Sequence, residues 1–598
     1  MYQSILLSDN LHSDQKTEHD LKIFLYSNNY NSDIFDICLE DFIEENKITL
    51  INNLNNLVKN YSYIKLKNQS LHTFLELHKN LNLFDINLIN EKCNFEKSKY
   101  FNDLLIFLAL DEILIDKGVT RLVTDIEDVY MSKIILNYRN YFFKNKTSTL
   151  SNTKFYITNL KHIFFGIFRF FQNIIIMIPF LPTVPDRINI SAARFHFFSY
   201  LSVKNNFPEA NNINENFWAG IQESLNDSNN SSVWFYHLQD KNFVFKNLGF
   251  FQFSKNITNK KNSYYLIYEF ANLNVIYNYA RTYFSILIKL RRLFQFISIL
   301  RKKNPYFWML LNDDFISSII GKEAVSNILN SLLIKEIYDN DIHGKNIFYL
   351  QENQSWEKLL IANTKQSNCL YGFPHTVIRD WDLRFHSYNE NKKYLPQNII
   401  ANGEDALKKL SKYYSSNIIA AESLRHNYLY DMINNKTEMP KGSKKIKSII
   451  MLTEYSKVST NNALRIVDNA IDGDIKVDIK PHPNCLPNLD NFKNFSNVIT
   501  DKKLFEIYRN YDLAIVTCQT SMSLECHLLQ IPFLVIKNAG LINLNPLSNY
   551  KNIIYCRFSN EIKEYINSSY DEELKTNISE NFFYINPKLT NWKRILRI

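Results

Sequence analysis

The sequence predicts an α/β protein: two α/β halves joined by a linker, with a further α/β unit in front of them. Three observations carry that expectation. From residue 346 onward, short apolar runs alternate with helical patterns. A polar, charged stretch at 431–446, containing Pro440 and Gly442, interrupts the alternation, which restarts at Lys447. The residues best suited to chemistry fall just past apolar runs, at what would be the carboxyl edge of a parallel sheet, where ligands bind.

Size and composition bound the rest. At 598 residues the chain exceeds one domain, and 45% hydrophobic with 22% charged residues is a globular balance. Gly is scarce at 11 and no GxGxxG occurs, which argues against a glycine fingerprint for dinucleotides. Asn, Ile and Lys abound as in an AT-rich genome, so single Asn or Lys residues and glycosylation matches such as Asn145-Lys-Thr147 carry little weight. The net charge of +9 permits an anionic partner, yet no basic run approaches a nucleic-acid arm, and no nucleic-acid partner is expected. Seven scattered Cys without a CxxC pair, and a start without a basic-apolar leader, read as a reduced cytosolic compartment.

In chain order, 1–145 form the leading α/β unit, with a helix at Leu104–Ile115, a strand at Val119–Thr124 and a helix at Val129–Tyr138. Residues 146–186 form a basic-apolar connecting segment. Its run 163–182 is long enough to span a bilayer, although Arg169, Gln172 and Asn173 sit near the middle, where a central Arg costs roughly 2.5–3.5 kcal/mol on insertion scales. A span, an interfacial or partner-facing helix and a core helix all remain open. A second helix at 281–303 surrounds an apolar stripe with Arg281, Lys289, Arg291, Arg292, Arg301, Lys302 and Lys303, as helices on anionic membranes do; a core helix with a solvated basic face fits equally. Residues 187–432 make the first half, with strands at 346–350, 369–373 and 398–401. After a linker at 433–446, residues 447–598 make the second half.

In the second half, His482 stands between Pro481 and Pro483 at the end of the strand beginning at Ile475, rigidly held because Pro restricts its own φ and the residue before it. Thr520, Ser521 and Ser523 open a helix, where free N–H groups and hydroxyls attract phosphate. Ordinary helix capping is the competing role. Glu454 and Ser456, after the strand ending at Leu452, lie at the same edge and are candidates to line the site. In the first half, Glu352 follows one strand directly and His375 the next. A cleft carboxylate facing an acceptor hydroxyl is how a general base works, so Glu352 is the first choice, His375 the second, and Asp382 a further candidate. Arg379 and Arg384 suit anionic substrate groups, or else join Asp380 and Asp382 in an ion-pair network. Metal chemistry is not expected. Asp472-Gly-Asp474 and Asp380-Trp-Asp382 match DxD only formally, and no His/Cys cluster has zinc spacing. Walker and G-x-S-x-G motifs are missing.

Four segments resemble a family of bacterial surface carbohydrate biosynthesis proteins found with O-antigen and capsule genes: Glu352-Asn-Gln354-Ser-Trp356-Glu357, Gly372-Phe-Pro-His375, Trp381-Asp-Leu-Arg384 and Glu422-Ser-Leu-Arg425. Lys480-Pro-His482-Pro483 with Ser521-Met-Ser523 is more distantly similar to the HP and Ser motifs of GT-B transferases. Those include Kdo-, sialyl- and polysialyltransferases using CMP-sugars and glycerophosphotransferases using CDP-glycerol. The resemblance implies a GT-B-like pair of Rossmann-type domains, with His482, Ser521 and Ser523 on the donor phosphate. It implies a metal-independent glycosyltransferase of O-antigen, lipopolysaccharide or capsule assembly. No cofactor is called for. The donor would be a CMP- or other nucleotide-activated sugar and the acceptor a glycan or lipid-linked glycan. The basic-apolar helices would bring this cytoplasmic enzyme to the inner membrane as a peripheral protein. A nucleotide-sugar epimerase of the same fold and a non-catalytic glycan- or lipid-binding assembly protein are the rival readings.

Overall fold

The computed structural model describes residues 4–9, 21–26, 32, 34–92, 101–114, 119, 121–127, 129–144, 152–182, 185–201, 217–228, 230–238, 262–303, 310–338, 342–386, 392–430, 446–471, 475–483, 485–537, 541–550, 552–568 and 582–598. The linker 433–446 up to residue 445, the Asp472-Gly-Asp474 turn and the Asn145-Lys-Thr147 match lie outside them.

The chain forms the expected architecture, a pair of Rossmann-type domains with an α/β unit in front, on three parallel sheets. The leading sheet comprises β1 (Ser4–Ser8), β2 (Leu21–Phe24), β3 (Ile37–Cys38) and β4 (Arg121–Asp125), in the order β3-β2-β1-β4. The second comprises β5 (Phe195–Leu201), β6 (Ser232–Leu238), β7 (Asn262–Leu266), β8 (Asn346–Leu350), β9 (Cys369–Phe373), β10 (Asn398–Ala401) and β11 (Asn417–Ala420), in the order β7-β6-β5-β8-β9-β10-β11. The third comprises β12 (Ser448–Leu452), β13 (Lys476–Lys480), β14 (Phe495–Val498), β15 (Leu513–Thr517), β16 (Phe533–Ile536) and β17 (Ile554–Cys556), in the order β14-β13-β12-β15-β16-β17. Strand order reverses between β5 and β8 in the second sheet and between β12 and β15 in the third. These switch points open a crevice at each carboxyl edge.

The strands read as apolar runs because both faces are covered. Every residue of β6 and β15 is buried. Five aromatic residues form one ladder across the second sheet. Tyr264, Trp234, Phe197, Phe348 and Tyr371 are register partners on successive strands, with ring centroids 6.4, 4.3, 5.1 and 4.6 Å apart. Such pairs add about 0.5–1.5 kcal/mol each beyond area burial. Strands β5 to β7 are not among the sequence-predicted elements; they are aromatic-containing runs between the two basic-apolar segments.

Those segments also resolve. The apolar run 163–182 lies in the helix Asn152–Met177, which continues as a 3-10 turn, Ile178–Phe180. One face is core: Phe170, Asn173, Met177 and Phe180 are buried, and Asn173 Nδ2 donates to Tyr279 Oη at 2.9 Å. The opposite face is exposed. The expected helix 281–303 is two helices, Leu273–Ile288 and Leu290–Lys303, broken at Lys289. At the other end, the helix Thr590–Leu596 returns from the third sheet to the second. There Trp592 packs on Phe373 and Trp218, and the buried Glu422 carboxylate accepts the N–H groups of Asn591 and Trp592 at 2.9 and 3.1 Å.

Candidate active site

The second and third sheets meet by their carboxyl edges. Arg379, beyond β9, donates from Nη2 to the carbonyl of Gln519, beyond β15, at 2.5 Å. Ser548, beyond β16, donates to Asp380 Oδ2 at 3.4 Å. Val377 packs with Leu524 and Leu547 in a small apolar cluster joining the two.

On the second-sheet side, Glu352 leaves β8 next to the switch point. The two glutamates of the Glu352–Glu357 segment have separate tasks. Glu357 is buried and accepts the N–H groups of Glu352 (3.0 Å) and Asn353 (2.9 Å), stapling the loop through the left-handed turn at Asn353 (φ 60°). Burial, then the Glu352 charge, pushes its pKa well up. Glu352 keeps 22% side-chain exposure. Its Oε2 accepts from Gln354 Nε2 at 2.6 Å, and its Oε1 faces His375 Nε2 and Arg384 Nη1, each at 3.8 Å. Trp356 anchors the segment by donating to Tyr200 Oη at 2.8 Å.

His375 is buried, edge-on to Phe217, and its Nδ1 has no partner among the described residues. Burial pushes its pKa down to about 4 against the pull of Glu352, so the ring is neutral near pH 7. Three residues earlier, a Cβ at Gly372 would stand 2.3 Å from Gln351 Oε1 and displace that side chain. Asp382 engages Arg384 with both oxygens at 2.7 Å. Burial works to raise its pKa, but the Arg384 charge and bonds outweigh it and hold the carboxyl below its usual range. Asp382 is therefore the partner that aims Arg384 at Glu352. Of the Arg–Asp network, only this pair forms as envisaged. Asp380 instead meets Lys409 at 3.1 Å and Lys47 at 3.7 Å, and Arg379 turns into the third sheet's switch point.

The third-sheet side is built by the loops after β12, β13 and β15. Glu454 is fully buried, and its Oε2 accepts the Gln519 N–H at 2.9 Å, tying two loops together; burial raises its pKa. Ser456 caps the helix Lys457–Ala470 by accepting the Ser459 N–H at 3.4 Å, and Thr520 Oγ1 accepts the Met522 N–H at 3.3 Å. Ser521, at the start of the helix Met522–Leu528, is half-buried with no side-chain cap bond. Ser523 is fully buried and meets Asn545 Nδ2 at 3.3 Å in the interior. His482 is half-buried beyond β13. Its N–H donates to Thr453 Oγ1 at 3.4 Å, its ring is edge-on to Tyr455, and burial, then the Arg425 charge, lowers its pKa.

Arg425 is exposed beyond β11, and its positive charge adds to burial in lowering the pKa of His375 in one half and of His482 in the other. The motif Glu422-Ser-Leu-Arg425 contains it, yet only the fold gives it a place among the site residues. The leading α/β unit braces both loops of the second sheet. Glu91 Oε1 accepts the Ser355 N–H at 2.7 Å, and Glu44 Oε1 accepts Trp381 Nε1–H at 2.6 Å. Nothing local in the sequence marks Glu44 or Glu91 for this. Among the described residues no group of three or more His, Cys, Asp or Glu is arranged to hold a metal ion.

No protein-family model matches the chain, and no curated protein matches it in sequence. Among solved structures it is similar to trehalose-6-phosphate synthase OtsA, at 10% identity and TM-score 0.36 over 68% of this chain and 98% of that one. It is similar to Anabaena HepE in complex with UDP and glucose, at 10% and 0.34 over 68% and 100%. A third is the wall teichoic acid polymerase TagF, at 11% and 0.30 over 73% and 96%.

Proposed function

We propose that the protein is a metal-independent glycosyltransferase that takes a nucleotide-activated sugar at the switch point of the third sheet and an acceptor against the second. The observation that carries this reading is the meeting of the two carboxyl edges at Arg379, which donates to the Gln519 carbonyl at 2.5 Å and so sets Glu352 and His375 on one side of a cleft and His482 and Ser521 on the other. A reaction across a cleft between two such edges needs cationic or N–H donors for the leaving nucleotide and a base for the incoming hydroxyl. Arg379, Arg425 and His482, with Ser521 and the N–H groups near it, supply the first. Glu352 supplies the second: it takes the acceptor proton as the new glycosidic bond forms and the bond to the nucleotide phosphate breaks. Ser523, bonded in the interior, is the one motif hydroxyl left out of direct donor contact. The finer reading, a CMP-sugar donor and a role in bacterial surface polysaccharide assembly, follows the motif resemblance.

Calorimetry with CMP, CDP and UDP tests the donor site, followed by transfer assays with the nucleotide-sugar whose nucleotide binds. Binding of none of the three, with the protein folded, refutes the transferase reading and favours a non-catalytic binding protein. The 3.8 Å approach of His375 to Glu352 also fits an acid/base pair, as an epimerase needs. Turnover of a nucleotide-sugar without any acceptor would favour that reading.

A further inference from the structure

A cavity of about 420 Å³ lies between the helix Asn152–Met177, the helix Lys322–Tyr338 and the loop that carries Glu352. Arg169, Gln172, Asn327, Asn330 and Gln354 give it a polar lining, and Trp356 an aromatic wall. Of its two carboxylates, Glu91 is committed to Ser355, and Glu323 lies 4.0 Å from Lys322. Arg169 donates only to the neutral Gln172, at 3.1 Å, and makes no ion pair among the described residues. Gln354 also bonds Glu352, so the cavity lies one side chain from the candidate base.

Phe165 and Phe168 rim the cavity and are themselves exposed. They belong to an outward apolar stripe with Phe164 (66% exposed), Phe171 and Ile175. The neighbouring helix Leu273–Ile288 continues it with Leu273, Tyr277, Phe284 and Ile288 (84% exposed). The two helices adjoin through Phe170, stacked on Tyr279 and edge-on to Phe284, and through Gly166, where a Cβ would collide with Tyr283 Oη. An apolar face this continuous marks an interaction surface. Its charge names the partner: the three helices Asn152–Met177, Leu273–Ile288 and Leu290–Lys303 contain no Asp or Glu, in a chain that has 60. Lys161, Arg281, Lys289, Arg291 and Arg292 are exposed on or beside the stripe. A basic rim around aromatic and aliphatic side chains complements an anionic bilayer.

We propose that these helices seat the protein on an anionic membrane and that the cavity beneath Arg169 takes the phosphate-bearing head of a bilayer lipid, delivering it beside Glu352 as the acceptor. Arg169 meets the phosphate, the amides meet the hydroxyls, and the hydrocarbon stays outside along Phe164 and Phe168. The delivery step rests on the transferase reading; the seat and the cavity do not.

The test uses the full chain and vesicles of phosphatidylcholine with or without phosphatidylglycerol. The protein should float with the anionic vesicles and not with phosphatidylcholine alone, and the exposed triple change Phe164→Glu, Phe168→Glu, Ile175→Glu should abolish flotation. A photoreactive residue in place of Gln172 should crosslink to phosphatidylglycerol. Ser326→Trp, which fills the cavity, should remove the crosslink and leave flotation intact. Failure to float with anionic vesicles overturns the seat. Flotation without a crosslink from position 172 overturns the cavity. Nucleotide calorimetry on the same preparations separates the two readings: nucleotide binding without lipid contact defeats this inference alone, and lipid crosslinking without nucleotide binding defeats the transferase reading and leaves the seat and cavity standing.

Discussion

Replacing Glu352 by Gln removes a proton acceptor while keeping the shape of the side chain, and the surroundings of Glu352 separate that loss from a structural one. The oxygen that remains still accepts from Gln354, now at 2.6 Å, and Arg384 keeps both bonds to Asp382 at 2.7 Å. What disappears is the partly exposed 3.8 Å contact with Arg384, and such ion pairs contribute about 0.2–1 kcal/mol. The stability cost should stay within about 1 kcal/mol. Loss of a general base costs about 10²–10⁴-fold in rate, roughly 3–5.5 kcal/mol of barrier, so the catalytic effect outweighs the structural one several-fold. Glu352 lies on the second-sheet side, and the bonds and close ion pairs recorded for its side chain are to Gln354, His375 and Arg384, so donor affinity should not move. The assay pairs turnover with calorimetric donor binding and a thermal midpoint on one preparation. Turnover near wild type would refute the assignment and pass the role to His375 or Asp382. Joint loss of turnover and donor binding would make Glu352 structural.

His482→Ala should weaken nucleotide binding by about 1.5–3 kcal/mol, the worth of one charge-assisted hydrogen bond, with the fold intact; unchanged affinity by calorimetry removes it from the site. Glu91→Ala leaves the Ser355 N–H without its carboxylate and frees the loop carrying Glu352, so the thermal midpoint and turnover should fall together while nucleotide affinity holds, at a cost of about 1–3 kcal/mol; a fall in nucleotide affinity would show the bracing acts elsewhere. Acid should destabilise the protein through buried neutral histidines. Burial pushes His375 down to about 4 and both His196 and His426 down to about 3, from 6.5. Each binds its proton more readily unfolded than folded, so their contribution is complete above pH 6.5 and is lost as pH falls from 6.5 toward 4 and 3. Thermal midpoints should be level from pH 7 to 8 and drop steeply below 6.5, and His426→Phe should lessen the slope; equal slopes would show that His426 is charged or exposed in the folded state.

Sequence pattern alone located the strands ending at Leu350, Phe373, Ala401 and Leu452, because a strand covered on both faces is a short apolar run with polar residues at its ends, a local property. The same pattern put Glu352, His375 and His482 at strand ends. It could not divide labour between Glu352 and Glu357, which differ by one turn of chain and not by residue type. Nor could it turn Ser523 inward to Asn545 and leave Ser521 half-buried without a cap bond, since both precede or enter the same helix. The bracing of the site loops by Glu44 and Glu91 joins residues more than 250 positions apart, and no spacing encodes it. The helix Asn152–Met177 shows the limit most plainly. It is apolar on nearly every side, so periodicity cannot say which face is covered. Only the packing of Phe170 and Asn173 against Tyr279 fixes its rotation, and with it the outward stripe at Phe164, Phe168 and Ile175.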